Sequence, residues 1–568
     1  MSEFAKYRAP LQNESYLCEP AASTWGTHAA RSGERLYDKI RWSGLELNEI
    51  REETRHDAIR LSHCNTNSCT GLAHGGAKQS KRWYVGGHQP ELFHPGVWFK
   101  NFILFEAAQR QGAVSLNVVI DHDSSSPVSL TVPSLKTSGE LALQTIAVAN
   151  TSSDLLIANV PWELTIDRGQ MDWAKFESEI VGLATRLGIE QPIISTIIPM
   201  IQRAVALGTP VGKAIAGARH QIERAWGIDN HEVLFSQLAQ GRGFSAFVFE
   251  IISQLEGFRE IYNSAREEYR QHHRIKNASQ PIPKLATQRR EQHEWLEAPF
   301  WVYRKSDPVR RALWVRYTGE EIIISDLQNW KSSIRYNADM NVVHAWWYEL
   351  LDEQVAIRPR ALTTTLFLRL AIADLFLHGI GGGKYDQITD MIIERWCRIE
   401  TPPFAVATAT LHLPIRPEQA TSEQTISTRG IRERNRDYLF NPERLVSDSE
   451  DGEVQGYVLR HQELLKWIPQ GAAKAAWHSL LRDNRSKIRA LLPISESTLA
   501  EQLQYSVEEE RQWKIRTSRE FSMAIFPDSV TQQKLKELAA ASWSGDNAKR
   551  KLEDEECVAV TQSANVPE

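Results

Sequence analysis

The sequence predicts an α/β protein with a parallel sheet core, a large and mainly helical insertion, and a helical C-terminal region. A short strand at 81–86, a helix at 97–111 and a β-rich run at 114–120 form one β–loop–α–β unit. Such a unit implies parallel strands joined by a right-handed crossover. Apolar residues then recur at helical spacing through most of 167–278, and again through 458–541. These long helical stretches on either side of further strand-like runs predict the insertion and the C-terminal region.

Changes in composition and periodicity divide the 568 residues into six expected segments. They are an N-terminal helical and loop segment that packs on the core (1–79), the first part of the core (80–166), the helical insertion or connecting domain (167–297), the second part of the core (298–415), the C-terminal helical region (416–541) and a disordered polar tail (542–568). Within them we expect a helix over 30–62, a loop over 63–80, strands at 300–304, 312–317 and 321–325, an apolar helix over 361–378, and a buried strand at 404–413.

The composition is that of a globular chain, with 24% charged and 42% hydrophobic residues and a net charge of −5. This balance gives no reason to expect nucleic acid or an anionic membrane as a partner. We find no basic segment followed by an apolar one at the N-terminus, and no apolar run of roughly 18 to 20 residues, so neither a signal peptide nor a membrane helix is expected.

The cysteines also point to a cytoplasmic location. Their number, five, is odd and their positions are scattered, which fits a reducing compartment better than a disulfide framework. Cys64 and Cys69 have His63 and His74 nearby, and the segment is either a polar loop or a zinc site without a tight cysteine pair. We expect the polar loop, and no metal.

The first motif with possible chemistry is the loop between the strand at 81–86 and the following helix. Gly87 lets the backbone approach a ligand closely, and the helix start offers free N–H groups to an anion. His88, Gln89 and His94 can donate hydrogen bonds to such an anion, and Lys100 adds positive charge. The alternative is a turn-rich connection whose histidines cap the helix.

The second motif, Asp121-His122-Asp123, ends the β-rich run. Ligands of open parallel sheets bind beyond the carboxyl ends of the strands, so these three ionisable side chains are expected at such an edge. A carboxylate beside a histidine can orient the ring, and either group can act as a general base. The alternatives are a solvated strand end or a helix cap. A metal held with His88 is conceivable, but no ligand spacing supports it.

The third motif is His378-Gly379-Ile380-Gly381-Gly382-Gly383-Lys384-Tyr385-Asp386, expected between two helices. Three glycines followed by a lysine can form a backbone nest for an anion, although the spacing is not that of a P-loop. A simple turn between helices is the alternative interpretation.

Two arginines, Arg358 and Arg360, precede the expected apolar helix. Arginines at a helix entrance can clamp a carboxylate bidentately. Solvated surface side chains are the alternative.

The order of these motifs resembles that of the bacillithiol-synthesis cysteine-adding enzymes, the putative cysteine ligase (BshC) family. The resemblance covers roughly 80–130 and 300–415. The matching pieces are Gly87-His88-Gln89, Leu92-Phe93, Pro95-Gly96, Asp121-His122-Asp123, Arg358-Pro359, Gly381-Gly382 and the strand-like run at 404–413. Two turns depart from the family pattern: Leu-Phe-Thr-Gly-Pro reads Leu-Phe-His-Pro-Gly here, and Gly-Gly-Pro-Gly-Glu reads Gly-Gly-Gly-Lys-Tyr.

The resemblance implies a Rossmann-like core, a connecting domain, and a C-terminal helical region through which two copies form a homodimer. It implies an enzyme, a carbon–nitrogen ligase that joins cysteine to the amine of an amino-sugar conjugate, glucosaminyl-malate. His88 and Gln89 would then bind an activated or anionic group, and Lys384 and Arg358 would hold a carboxylate or phosphate.

The trio Asp121-His122-Asp123 would position or deprotonate the amine, with His88 beside it in the catalytic set. The acyl donor stays open at this point, as does the use of ATP or another nucleotide. Two further functions also stay open: a ligase or nucleotidyltransferase-like enzyme for a different amine, and a non-catalytic interaction protein.

Overall fold

The computed structural model describes residues 4–31, 37–70, 82–149, 159–167, 169–276, 282–415, 428–446 and 452–544. The expected polar loop or zinc site at Cys64, Cys69 and His74 lies outside the described side chains. None of the described helices has both the length and the hydrophobicity needed to cross a bilayer.

The described strands, in chain order, are β1 (Ser15–Glu19), β2 (Arg41–Trp42), β3 (Leu45–Glu46), β4 (Trp83–His88), β5 (Val114–Val119), β6 (Ser129–Leu135), β7 (Leu141–Ala147), β8 (His231–Leu234), β9 (Thr287–Arg290), β10 (His293–Arg304), β11 (Asp307–Tyr317), β12 (Glu321–Ser325), β13 (Lys331–Arg335), β14 (Val355–Pro359), β15 (Leu375–His378) and β16 (Phe404–Thr410).

The described α-helices are α1 (Trp25–Arg31), α2 (Leu47–Thr70), α3 (Pro95–Gln111), α4 (Trp173–Arg186), α5 (Ile194–Ala206), α6 (Val211–Ala225), α7 (Phe235–Leu238), α8 (Arg242–Ser253), α9 (Leu255–His272), α10 (Met340–Asp352), α11 (Ala361–Ala371), α12 (Ile380–Cys397), α13 (Thr428–Phe440), α14 (Gly452–Lys466), α15 (Ala473–Leu491), α16 (Glu496–Arg516) and α17 (Asp528–Ala541).

A six-stranded mixed sheet forms the centre of the fold, in the order β1-β16-β15-β4-β5-β8. The five strands from β16 to β8 are parallel, and β1 pairs with β16 in the antiparallel direction at the edge. The predicted class, α/β with parallel strands, is confirmed. The parallel strands are buried on both faces, as β5 is along its whole length, which is the usual environment of a parallel sheet.

The path of the chain through the sheet reverses at β4. From β4 the chain moves outward through β5 to β8, and it later returns to the opposite side of β4 with β15 and β16. In open α/β sheets, ligands bind in the crevice beyond the carboxyl ends of the strands at such a reversal. The fold therefore predicts a ligand site at the carboxyl ends of β4 and β15.

Local signals define α3, the helix that follows β4. Pro95 occupies its first turn, where a missing N–H costs nothing. Gly112 ends it in the left-handed conformation, with φ of 59°. The helix packs against β4, β5, β15 and β16, so its start lies at the carboxyl edge of the sheet.

A second, antiparallel sheet is formed by β13-β12-β11-β10-β14, with β9 paired to β10. The strands expected at 300–304, 312–317 and 321–325 are present, but they belong to this sheet and not to the parallel one. Phe244 of α8 contacts Phe300 of β10 and Phe367 of α11 through edge-on ring contacts. One hydrophobic core thus includes side chains from both sheets.

Several local predictions are wrong in part. The apolar helix expected over 361–378 ends at Ala371, and residues 375–378 form β15, a central strand of the parallel sheet. The insertion is mainly helical as expected, from α4 to α9, but it also contains β8, the strand at the end of that sheet. The helix expected over 30–62 begins only at Leu47, after β2 and β3. Residues 63–70, expected in a loop, continue this helix, and residues 71–80 of that expected loop lie outside the described residues.

The chain folds as two compact units. One comprises the described residues within 1–132, 144–414 and 519–544, and it holds both large sheets. The other comprises those within 133–143 and 415–518, where α13 packs on α16 and α14 on α15. The last described helix, α17, belongs to the first unit and packs on α3. This division is coarser than the six expected segments, which stay a prediction.

Candidate active site

A cavity of about 770 Å³ opens at the carboxyl ends of β4, β5, β15 and β16. This volume suits a metabolite-sized ligand. Of the residues singled out in the sequence, those on its wall are Gly87, His88, Gln89, His94, Lys100, His122, Asp123, Gly381, Gly382, Lys384 and Tyr385. The others do not line it: Asp121, Arg358, Arg360 and Gly383.

The loop after β4 reaches the strand-end trio directly. The Gln89 amide donates a hydrogen bond to the Asp123 carboxylate over 3.1 Å. A Cβ on Gly87 would lie 2.7 Å from the Val118 carbonyl oxygen of β5, so glycine is required for this close approach. The two motifs are therefore held side by side on one cavity.

His88 is a neutral side chain on this wall. Its Nδ1 lies 3.1 Å from the Gln89 carbonyl oxygen. Burial, with a further contribution from the charge of Lys100, lowers the pKa of His88 to about 3. At neutral pH the ring therefore carries no charge, and it offers an anion a hydrogen bond but no electrostatic attraction.

Lys100 supplies the positive charge at this end of the cavity. Its side chain is 4% exposed, and its Nζ donates to the Gly87 carbonyl oxygen over 2.9 Å. Among the described residues no carboxylate forms an ion pair with it. Burial, assisted by the charge of Arg219, lowers the pKa of Lys100 to about 8. A buried cation without an acidic partner is unfavourable by itself and attracts an anion.

His94 begins α3 as its N-cap. Its Nδ1 accepts a hydrogen bond from the Gly96 backbone N–H over 3.1 Å. This is the capping interpretation left open by the sequence. Burial lowers the pKa of His94 to about 4, although Glu520, with a carboxylate 3.7 Å from Nε2, opposes the shift.

The members of the Asp121-His122-Asp123 trio point to different partners. His122 and Asp123 line the cavity, whereas Asp121 is buried behind it, 1% exposed. Asp121 accepts hydrogen bonds from the backbone N–H and the hydroxyl of Ser236 in the first turn of α7. Burial and the nearby charge of Glu163 raise the pKa of Asp121 to about 7. Asp121 thus caps a helix and does not reach the cavity, which differs from the expected catalytic role.

His122 and Asp123 have opposite electrostatic states. Burial lowers the pKa of His122 to about 3, which keeps the ring neutral, and its Nε2 lies 3.3 Å from the Thr364 hydroxyl. Asp123 forms an ion pair with Arg310 over 2.9 Å. Burial opposes ionisation of Asp123, but the charge of Arg310 outweighs it and lowers the pKa of that carboxyl.

The glycine tract lies between a strand and a helix, because β15 ends at His378 and α12 begins at Ile380. Gly381, Gly382 and Gly383 occupy the first turn of α12 and do not form a turn between two helices. A Cβ on Gly381 would meet no atom within 4 Å, whereas one on Gly383 would collide with Val406 of β16. The tract therefore brings a helix start close to the sheet.

The two arginines proposed as a clamp are engaged in structural ion pairs. Arg358 lies on β14, is 3% exposed, and holds both carboxylate oxygens of Glu163 at 2.9 and 3.0 Å. Arg360 pairs with Glu297 over 2.6 Å, and its guanidinium stacks over the Trp301 ring. Neither is free to bind a ligand in the cavity, so the structure does not support the expected clamp.

Several residues that line the cavity were given no role in the sequence analysis, although His378 and Asp386 are the two ends of the third motif. They include His378 at the end of β15, Asp386 in α12, Thr408 in β16, and Arg310 and Arg519. The apolar run Leu375-Phe376-Leu377 before His378 was the available signal, because it repeats the pattern of an apolar strand that ends in a polar group. It was hidden by the apolar helix immediately before it.

A group with metal-ligating side chains lies outside the cavity wall. His220, Glu223 and Glu232 are buried with ligand atoms within 4.8 Å of one another. The guanidinium of Arg219 already pairs with both carboxylates, so a metal ion would have to displace this cation. The expectation that the protein holds no metal stays a prediction.

No protein-family model matches this chain, and no curated protein resembles it in sequence. The geometry of the cavity is therefore the basis for a functional proposal.

Proposed function

We propose that this protein is a cysteine-ligase-like enzyme with a Rossmann-like core that forms an amide bond at the 770 Å³ cavity. Its substrates would be cysteine and the amine of an amino-sugar conjugate, in the synthesis of a low-molecular-weight thiol of the bacillithiol type. The motif order described above supports this assignment. Numbered along the chain, the five parallel strands lie in the order 3-2-1-4-5, which is that of the dinucleotide-binding fold and supports the Rossmann-like assignment.

One observation carries the proposal: the ammonium of Lys100, for which the described residues provide no carboxylate partner, is buried beside the carboxyl ends of the paired strands β4 and β15. The starts of α3 and α12 lie on the same cavity, and free N–H groups at helix starts favour an anion. Together these groups fit the phosphates of a nucleotide or the carboxylate of a substrate. Amide formation requires an activated carboxyl group, and a nucleoside triphosphate such as ATP would supply the activation.

A neighbouring part of the wall offers groups for the amine. The ionised Asp123 carboxylate can accept a hydrogen bond from a substrate ammonium or amine, while Gln89 and Arg310 hold that carboxylate in place. The developing oxyanion of an acyl transfer requires donors on the same wall, and Lys100 and the backbone N–H groups at the start of α12 can serve in that role.

The test is incubation of the purified protein with cysteine and glucosaminyl-malate, with and without ATP, followed by mass spectrometry. We expect the amide product from the wild-type protein. Lys100→Met should lower product formation at least about 100-fold and weaken the binding of ATP or pyrophosphate in calorimetry. Loss of one charge-assisted contact in a buried site has an effect of this order. Methionine fits the volume and removes a buried charge, so the variant should fold.

Glu46→Gln on the surface pair with Arg41 is a matched control for the loss of one charge, and it should leave both measurements unchanged. Absence of the amide under every condition rejects the substrate assignment. Unchanged binding of ATP and pyrophosphate by Lys100→Met rejects the anion site.

A further inference from the structure

A histidine–aspartate pair lies on the cavity wall at the end of β15, the strand that pairs with β4. The Nε2 of His378 is 2.8 Å from Oδ2 of Asp386, and the two side chains are 6% and 1% exposed. His378 is the last residue of β15, and Asp386 lies eight residues later in α12. The strand and the helix that follows it therefore carry the two members of one pair.

The charge of Asp386 determines which ring nitrogen of His378 carries hydrogen. Arg369, fully buried, donates to the same Oδ2 over 2.7 Å. Burial opposes ionisation of Asp386, but the charges of Arg369 and the hydrogen bond from His378 hold the pKa of that carboxyl well below its usual range. An ionised carboxylate only accepts hydrogen bonds, so Nε2 of His378 must be the donor. In the form of the ring with one N–H, the lone pair is then on Nδ1.

This Nδ1 lies against the start of α12. A Cβ on Gly382 would be 2.6 Å from it, so the second glycine of the tract is what allows the ring to occupy this position. Gly382 and His378 both line the cavity. Within the part of the chain that the structure describes, Nδ1 has no hydrogen-bond partner, and it is not among the buried polar atoms sealed from solvent.

His122, the histidine of the trio expected to act on the amine, is placed differently. Nδ1 of His122 is sealed in the protein interior, and its Nε2 contacts the Thr364 hydroxyl. Of these two rings, His378 is the one whose free nitrogen is reachable. It is also next to the anion site, because Gly379 follows it directly and a Cβ on Gly379 would lie 3.9 Å from Cδ of Lys100.

We propose that His378 is the general base of the reaction, with Asp386 and Arg369 as the residues that position it. This assignment rests on the proposed amide-forming function. Nδ1 of His378 would accept a proton from the substrate amine as its nitrogen attacks the carbonyl carbon of an acyl phosphate or acyl adenylate. The C–N bond forms, the C–O bond to the phosphate breaks, and the phosphate or nucleotide leaves with that electron pair.

The first part of the test compares His378→Gln and Asp386→Asn with the wild-type protein. Glutamine keeps a donor for Asp386 but has no basic nitrogen, so product formation should fall at least about 100-fold, as is typical for loss of a general base. The affinity for ATP in calorimetry should stay within about three-fold. His293→Gln, an exposed histidine outside the cavity, should change neither quantity.

Undiminished product formation by His378→Gln overturns the assignment. A loss of product that is accompanied by loss of ATP affinity also overturns it, because the ring would then serve binding or structure.

The second part uses ¹⁵N-histidine NMR, which does not depend on any substrate. The wild-type spectrum should show His378 as the Nε2–H tautomer, and Asp386→Asn should disturb that tautomer. His378→Gln identifies the resonance. If the wild-type protein forms no amide, the substrate assignment fails. The tautomer of His378 then tests the general-base assignment independently. An Nε2–H ring that requires Asp386 supports a base poised for another substrate, and an Nδ1–H ring overturns the proposal.

Discussion

Lys100 illustrates how one buried side chain can define a ligand class. Its ammonium donates to a carbonyl oxygen of its own cavity wall, and the described residues provide no negative charge to balance it. By contrast, the other buried cations near the cavity have carboxylate partners: Arg358 has Glu163, and Arg369 has Asp386. Lys100 therefore retains its charge for a ligand, and the cost of burying it appears as a pKa lowered to about 8.

This pKa predicts how anion binding depends on pH. As the pH rises through about 8, Lys100 loses its proton, so the affinity for pyrophosphate should fall above that pH and stay level below it. Because the unfolded chain holds this proton up to its ordinary pKa near 10.5, the unfolded state binds more protons between these values. The free energy of unfolding should therefore gain a positive contribution as the pH rises through that window. Calorimetry measures the pyrophosphate affinity, and denaturant titration measures the free energy of unfolding. Both are carried out from about pH 7 to 11, roughly the range over which lysines titrate.

Lys100→Arg is the control for the binding effect, because arginine stays charged throughout this range. Its pyrophosphate affinity should not fall near pH 8. A wild-type affinity that is constant through that region would contradict the charge assignment.

At the scale of elements, the connections that leave β4 and β15 have the same architecture. Each parallel strand ends in a histidine, His88 or His378, and each is followed by a helix whose start lies on the cavity. The two helix starts are secured differently. His94 caps α3 with its side chain, whereas the N-cap of α12 is Gly379, which has no side chain to cap it, and glycines allow its first turn to approach the sheet.

The capping role of His94 predicts the stability of substitutions at that position. His94→Ala removes the acceptor for the Gly96 N–H and should lower the free energy of unfolding by about 1 kcal/mol, a typical value for an N-cap. His94→Asn supplies an acceptor at the same distance along the side chain and should restore most of it. Urea denaturation followed by circular dichroism measures both.

The same two variants separate capping from ligand binding. If His94→Ala leaves stability unchanged but weakens ATP binding, the histidine is a ligand residue and the capping interpretation is wrong.

At the scale of the whole molecule, the first unit carries the cavity, and the second is a set of packed helices. The second unit exposes large apolar side chains, including Trp467 at 72%, directly after α14, and Trp513 at 63% in α16. Isolated exposed apolar residues are common in proteins, so the homodimer implied by the family resemblance stays a prediction.

That prediction has a direct test. If two copies associate through the helices of the second unit, analytical ultracentrifugation should show a dimer for the wild-type protein. Trp467→Ser or Trp513→Ser should then weaken the dimer by at least about ten-fold in dissociation constant, because a buried tryptophan commonly contributes more than 1 kcal/mol at an interface. A monomer at every concentration would contradict the expectation.

The elements of the first β–α–β unit could be read from the sequence because their signals are local. Alternation or continuous burial marks β4 and β5, and Pro95 and Gly112 mark the two ends of α3. β15 could not be separated from the preceding helix, because its three apolar residues are buried equally well in a strand or in the last turn of a helix. β8 was hidden in the same way, inside a long helical region.

The sequence by itself determined the α/β class. It also determined that the loop with His88 and the trio Asp121-His122-Asp123 follow neighbouring strands. Only the tertiary structure decided which of those side chains face the cavity. Asp121 binds Ser236 and Arg358 binds Glu163, partners far away along the chain, while the pairing of β15 with β4 brings His378 to the cavity. The physical reason is that backbone propensities act over a few residues. The partner of a buried polar group is selected by packing between segments distant in sequence, and a charge cannot be left buried without one unless a ligand provides it.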